Sequence, residues 1–258
     1  MTLVWKPGYS FDSDASTYID AVETADGQAL ETGVRVAIND FVLGCKQDEI
    51  WDAIKASCIL AGARTTNGAL VPLVGTAPTP NNFDLVGDTD YDRKTGLVGD
   101  GSTKYLDSNR NNNADPQNSR HISLYADIPN NDNRCLIGAR ASGTNVGGAE
   151  IRHNASTYYN PSTNTATTTA IPSLGLNFLG YSRSISASYE SRRNGSSSTI
   201  SMTSGAPAST NVIIYTRTDL AIASSARISF YSIGESLDLA KLDARVTDLI
   251  NAFGVAIP

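Results

Sequence analysis

The sequence predicts a mainly β fold: a two-sheet jelly-roll sandwich with an N-terminal helical segment and a C-terminal amphipathic helix. Three observations carry this. The stretch ARISFYSIGESLDLAKLDARVTDLINAFG, residues 226–254, changes its apolar period from two to between three and four. From residue 67 onward, about ten to twelve short strand-like runs are separated by Gly, Pro and Asn turn signals. The 258-residue chain is 40% apolar but only 18% charged, the difference being made up by Ser, Thr and Asn, a balance that suits β-sandwich surfaces.

Residues 1–66 read as an arm followed by helices. A first helix opens at Ser13 or Asp14, turns Tyr18, Ile19 and Val22 inward and stops near Gly27. A second spans 29–43 with Leu30, Val34, Ile38, Phe41 and Val42 on one face and ends at Gly44. A third is expected over 48–60, with Ile50, Trp51, Ile54 and Cys58 on one side and the acidic start Asp48-Glu49 at the positive end of its dipole. Helices this short need a partner surface, either the sandwich or a neighbouring subunit. The domain boundary falls at 62–66, so residues 67–258 form the sandwich.

GALVPLVG, 68–75, is a short strand that Pro72 confines to a sheet edge, and 76–96 reads as loop. A strand over 97–108 is turned by Gly99-Asp100-Gly101, and 109–118 is a polar loop. In 121–128, Ile122, Leu124, Ala126 and Ile128 alternate with His121, Ser123, Tyr125 and Asp127. Further strands are expected at 135–139, 149–153, 177–181 and 211–218. Over 182–191, Arg183, Ile185, Ala187 and Tyr189 alternate with four serines, and Asn194-Gly195 then turns a hairpin. In the last strand Ile228 and Phe230 share one face. Its helix, with Leu239, Leu242, Val246, Leu249, Ile250 and Phe253 inward, is capped by Ser236 and ended by Gly254.

A formal net charge of −6 argues against a nucleic-acid partner, which requires clustered Lys and Arg. The start MTLVWKPGYSFDSD lacks an apolar core of roughly 7 to 15 residues behind basic residues, and no run approaches about 18 apolar residues. The expectation is a chain made in the cytoplasm, with no membrane partner. Cys45, Cys58 and Cys135 are odd in number and lack metal-ligand spacing, so they read as buried free thiols.

Three groups of residues invite a functional reading. Asp88-x-Asp90-x-Asp92, following Asp84, has the spacing of calcium-binding loops, although Arg93 stands where such a loop needs Gly and Gly99 where it needs a bidentate Glu. Tyr158, Tyr159 and Tyr189, with Arg192 and Arg193, form a candidate glycan-binding rim, since aromatic faces stack on sugar rings. Trp5 on the arm and Trp51 are candidate anchors on a protein partner.

GLVGDGSTKYLDS resembles the opening strands of concanavalin A-like, laminin G-like jelly rolls, GYSRSISASYESRRNGSSST their central hairpin, and ISFYSIGESLDLAKLDARVTDLINAFG the closing segment of phage versions of this domain. The resemblance covers residues 67–258, and the whole chain resembles structural proteins of tailed phages. It implies a bacteriophage virion protein, most simply a capsid decoration or cement protein. Such a protein works as a homotrimer on the particle surface, with the arm and helices as its fastening to other virion proteins. The alternative it implies is a tail-fibre or receptor-binding module for a host glycan. Laminin G-like domains that carry calcium keep the aspartate site in view. Glycosidases of this fold use a Glu-x-Asp-x-Glu strand. That run, like a Gly-x-Ser-x-Gly elbow, is missing from the sequence, so no catalytic residues, and no enzyme, are expected.

Overall fold

The computed structural model describes residues 10–127, 134–140, 147–153, 156–163, 169–172 and 177–258. In chain order these form α1 (Ser13–Asp26), α2 (Thr32–Gln47), β1 (Ile54–Ile59), the short helix α3 (Thr66–Ala69), β2 (Pro72–Val74), β3 (Thr79–Asn81), β4 (Tyr91–Asp92) and β5 (Gly96–Val98). There follow β6 (Tyr105–Asn111), β7 (Arg120–Asp127), β8 (Arg134–Ala139), β9 (Ala149–His153), β10 (Ser156–Pro161) and β11 (Thr169–Pro172). The chain closes with β12 (Asn177–Arg183), β13 (Ser188–Arg193), β14 (Ser196–Ser201), β15 (Asn211–Ile214), β16 (Arg227–Gly234) and α4 (Leu239–Ala256).

Among the described residues the strands pair into two antiparallel sheets. One runs β14-β13-β12-β7-β16-β1-β2, with β5 joined to β16 and β4 to β5; the other runs β11-β10-β9-β8-β15-β6-β3. The mainly β sandwich with helices at both ends is therefore as the sequence predicts, and β2 does lie at an edge. The helices form a third layer. They pack on their own sheet: Ile19, Val34, Phe41, Phe230, Val246 and Phe253 share one core, and Leu97, Leu106, Ile122, Ile137, Tyr181 and Tyr231 share the inter-sheet core.

A sheet buried on both faces explains the largest departure from sequence periodicity. The third expected helix, over 48–60, is a single 3-10 turn at Trp51–Ala53 followed by β1, which lies between β16 and β2. Five of its six residues are buried, so both strand faces are apolar, and such a run mimics a helical stripe. The segment before residue 67 thus contributes a strand to the nine-stranded sheet.

The same double burial changes β16. Ser229 is an extra residue opposite β7: Ile228 pairs with Ala126, but Phe230 already pairs with Tyr125. This bulge puts Ile228 and Tyr231 in the inter-sheet core and Phe230 in the helix core, so Ile228 and Phe230 do not share a face as their alternation predicts. The Ser229 carbonyl accepts the Leu60 N–H at 2.8 Å, and its hydroxyl donates to the Tyr125 carbonyl at 3.2 Å.

Other boundaries shift for local reasons. Asp12 caps α1 by accepting the Asp14 N–H, and Gly27 ends it at φ 64°. Helix α2 continues through Gly44, whose bare backbone lets the Arg245 side chain of α4 cross it. Asp238, not Ser236, caps α4, accepting from Ala240 and Lys241, and the helix continues past Gly254. The expected strand over 97–108 is divided between the two sheets as β5 and β6, and the Asp100 carboxylate collects the Ser102, Thr103 and Lys104 N–H groups of the crossing turn. The stretch 76–96, expected as loop, contains β3 and β4, and β6 extends to Asn111 into the expected polar loop. The three cysteines are buried free thiols.

The bulge depends on Gly96. Its φ is 101°, and a Cβ there would stand 2.2 Å from the Ile228 carbonyl oxygen. Gly96→Ala is expected to cost on the order of 3 kcal/mol, read as a lower urea midpoint at unchanged slope. Gly27→Ala, left-handed at φ 64° but with nothing within 4 Å of the added methyl, is expected to cost only about 1 kcal/mol.

Candidate functional site

The alternating serine stretch at 182–191 is interrupted. Residues 184–187 leave the sheet as a turn between β12 and β13. Arg183, fully buried, holds the turn by placing Nη1 3.0–3.2 Å from the carbonyl oxygens of Ile185, Ser186, Ser188 and Met202. Four backbone acceptors converging on one cation override the strand propensity of the alternation.

Beside this turn lies a groove of about 390 Å³. Ser184, Ser188 and Thr199 line it with hydroxyls, Ile185 and Leu237 with aliphatic surface, and Glu190 with a carboxylate. Glu190 is half-buried, its backbone is paired within the β12–β13–β14 ladder, and among the described residues its carboxylate has no ion pair or hydrogen bond. Ile185 is 55% exposed, unusual for a large apolar side chain here. The platform beneath is rigid: the Leu237 N–H donates to Ser182 Oγ at 3.0 Å, and Arg192 Nε donates to Asp243 Oδ2 of α4 at 2.7 Å. Pattern alone pointed to the serines; Glu190, which carries the charge of the groove, had no signal beyond its place in the hairpin.

Two tyrosines of the expected glycan rim, Tyr159 and Tyr189, lie in the interior. Tyr159 is fully buried in the inter-sheet core, edge-on to Tyr181, and its hydroxyl donates to the Arg192 carbonyl at 3.1 Å. Tyr189 is 2% exposed, and Arg192 is engaged with Asp243. Tyr158 lies mid-strand in β10, opposite Arg152 and Ala170, and its side chain is outside the described residues.

The aspartates are occupied by protein donors. Asp88 accepts the Thr66 N–H at 2.7 Å, Asp90 accepts the Asp84 N–H and pairs with Lys104, and Asp92 accepts from Lys94 and Thr95. The Asp84 carboxyl is held down at about 2 by the Gly87 N–H, then the Thr89 hydroxyl. Among the described residues no three His, Cys, Asp or Glu side chains group closely enough for a metal.

Trp51 is half-buried, with Lys46 Nζ 5.7 Å from its ring centre, and it borders a shallow groove with Tyr18, Ala21, Val71 and Leu73 beside edge strand β2. Trp5 lies outside the described residues. Among these residues no helix is long and apolar enough to cross a membrane.

Both histidines, His121 and His153, are buried. His121 lies under the helix layer, Nδ1 2.6 Å from the Glu235 carbonyl and Nε2 2.7 Å from Ser232 Oγ. Nδ1–H donates to the carbonyl and Nε2 accepts the serine hydroxyl, a neutral ring satisfied at both nitrogens.

No family model matches the sequence, and no curated protein matches it. Among solved structures the chain is similar to the botulinum neurotoxin serotype D binding domain, at TM-score 0.52 and 11% identity over 76% of this chain and 50% of that one. It also aligns with the binding domain of botulinum neurotoxin DC in complex with rat synaptotagmin II (TM-score 0.49, 15% identity, 78% and 52% covered). A Trypanosoma rangeli sialidase mutant displaying trans-sialidase activity aligns at TM-score 0.48 and 10% identity, with 83% and 39% covered. The chain spans about half the length of the botulinum domains it matches. Identities this low establish a shared β-sandwich fold, and the two matches below 0.5 carry nothing further.

Burial pushes the His121 pKa down to about 4. The unfolded chain, with an ordinary histidine near 6.5, therefore binds more protons than the folded one between those values, and stability falls as pH drops from about 6.5 toward 4. Denaturant titrations at several pH values are expected to show a loss on the order of 3 kcal/mol across this window, superimposed on the carboxylate contribution. In His121→Gln that part of the slope is absent.

Proposed function

We propose that this chain is a non-catalytic recognition module of a bacteriophage particle that binds a host glycan in the groove beside the β12–β13 turn. The Glu190 carboxylate carries this reading: it stands partly exposed and unpaired among the hydroxyls of Ser184, Ser188 and Thr199. A carboxylate accepts hydrogen bonds from two neighbouring sugar hydroxyls, serine and threonine both donate and accept, and Ile185 and Leu237 offer aliphatic surface to the sugar's C–H face. A glycosidase would need a second carboxylate across the bond, and Glu190 is alone among the groove's lining residues. The fold shared with the botulinum binding domain supports a binding role by analogy. Phage origin and virion localisation rest on the sequence motifs at 96–108, 180–199 and 228–254.

Capsid decoration, with virion proteins or further copies in a homotrimer as partners, is the second reading, favoured by half-exposed Trp51 and the apolar groove beside edge strand β2. In that reading Trp51 and the arm make the contact, because α1, α2 and α4 are committed to the chain's own sheet.

Glycan-array binding followed by titration calorimetry tests the first reading. Glu190→Ala is expected to weaken binding at least about tenfold, since hydrogen bonds to a charged group contribute roughly 1.5–3 kcal/mol, while leaving the melting temperature within about 1 °C. An array with no bound glycan, or binding indifferent to Glu190→Ala, sinks it; copy number per particle in the hundreds would favour decoration.

A further inference from the structure

Buried arginine is costly unless matched by acceptors and counter-charge. On the outer face of the seven-stranded sheet this protein obeys that rule: Arg217, 7% exposed, lies 3.4 Å from Glu150 and 2.9 Å from Asp219. Between the sheets it does not. Arg120 and Arg183 are Cα partners on β7 and β12, in the alternation that turns Ile122 and Tyr181 into the inter-sheet core, and they are 3% and 0% exposed.

Arg183 commits Nη1 to the carbonyls of the 184–187 turn, and its guanidinium carbon lies 5.5 Å from the Tyr189 ring centre. Arg120 commits Nη2 to the carbonyl and amide oxygens of Asn112. This leaves Nε and Nη1 of Arg120, Nε and Nη2 of Arg183 and the Tyr181 hydroxyl, all buried and without a hydrogen-bond partner among the described residues. Asp115, the carboxylate whose charge acts on Arg120, has its two oxygens bonded to Arg110. Two neighbouring buried guanidiniums thus carry surplus donors and, among the described residues, neither is paired with a carboxylate. Desolvation lowers the pKa of both, yet arginine remains charged at any physiological pH.

We propose that the inter-sheet space between Arg120 and Arg183 binds a small monovalent inorganic anion of the halide class, which accepts from both guanidiniums and the Tyr181 hydroxyl. A halide takes N–H and O–H donors from any direction and removes one of the two positive charges. A water molecule supplies acceptors without charge. Because Arg183 also shapes the 184–187 turn, the bound anion braces the β12–β13 hairpin. This inference stands independently of what the nearby groove binds.

Thermal unfolding of the full chain in sodium chloride, bromide, sulfate and gluconate at matched ionic strength tests it. Chloride and bromide are expected to raise the melting temperature saturably, by on the order of 5 °C at concentrations well above the dissociation constant, with gluconate giving no rise. Arg183→Met is expected to abolish the halide dependence. Because that variant can fail to fold, bromide-soaked crystals of the unaltered protein supply a second readout, with an anomalous peak between the two guanidiniums expected. Equal melting temperatures in chloride and gluconate, a non-saturating rise that is larger in sulfate, or crystals showing only water at that position would each overturn the proposal.

Discussion

The nine-stranded sheet has two faces to bury, and the remainder of the structure follows from how it does so. The seven-stranded sheet covers one face and α1, α2 and α4 the other, so β1, β7 and β16 are almost entirely enclosed. A strand in that position cannot use the simple inward-outward alternation of a solvated antiparallel sheet. The bulge at Ser229 resolves this in β16 by switching which residues face which core, and Gly96 permits the close approach of β5 that the bulge requires. Polar side chains caught beneath the helices must find partners inside, as His121 does with the Glu235 carbonyl and Ser232.

The same constraint determines where surface chemistry is possible. The helix layer covers the centre of the sheet, and α4 reaches its margin at β12 and β13 through the Arg192–Asp243 pair. Just beyond that margin the β12–β13 turn is free of the helices, and the groove with Glu190 opens there. Its turn owes its shape to a fully buried arginine, so an exposed binding surface is positioned from the interior. On the outer face of the other sheet, Arg217, itself paired with Asp219, ties the segment after β15 to Glu150 of β9.

Much of this was legible from the chain. Residues 239–256 show their helical stripe without ambiguity, Asn194-Gly195 marks its hairpin, and Pro72 marks its edge. Where reading by pattern failed, a competing burial was the cause. Ile50 and Trp51 of the preceding turn run on at helical spacing into Ile54 and Cys58 because β1 is apolar on both faces. Tyr159 and Arg192 look like a sugar platform in a linear string, but one packs between sheets and the other anchors a helix. The aspartates at 84, 88, 90 and 92 show a second use of the same spacing, because turns, too, are built from carboxylates that accept backbone N–H groups.

Local pattern therefore settled what depends on neighbours in sequence: the existence of most strands, the terminal helices, the hairpin turn and the sandwich class. Tertiary packing decided what depends on neighbours in space: that 54–59 is a strand, that Ile228 and Phe230 face opposite ways, that Tyr159 is core and that Glu190 stands unpaired at a groove. The physical reason is that periodicity records how many faces of an element are apolar, but not which surface covers each of them. A chain with a doubly buried sheet satisfies both with the same residues.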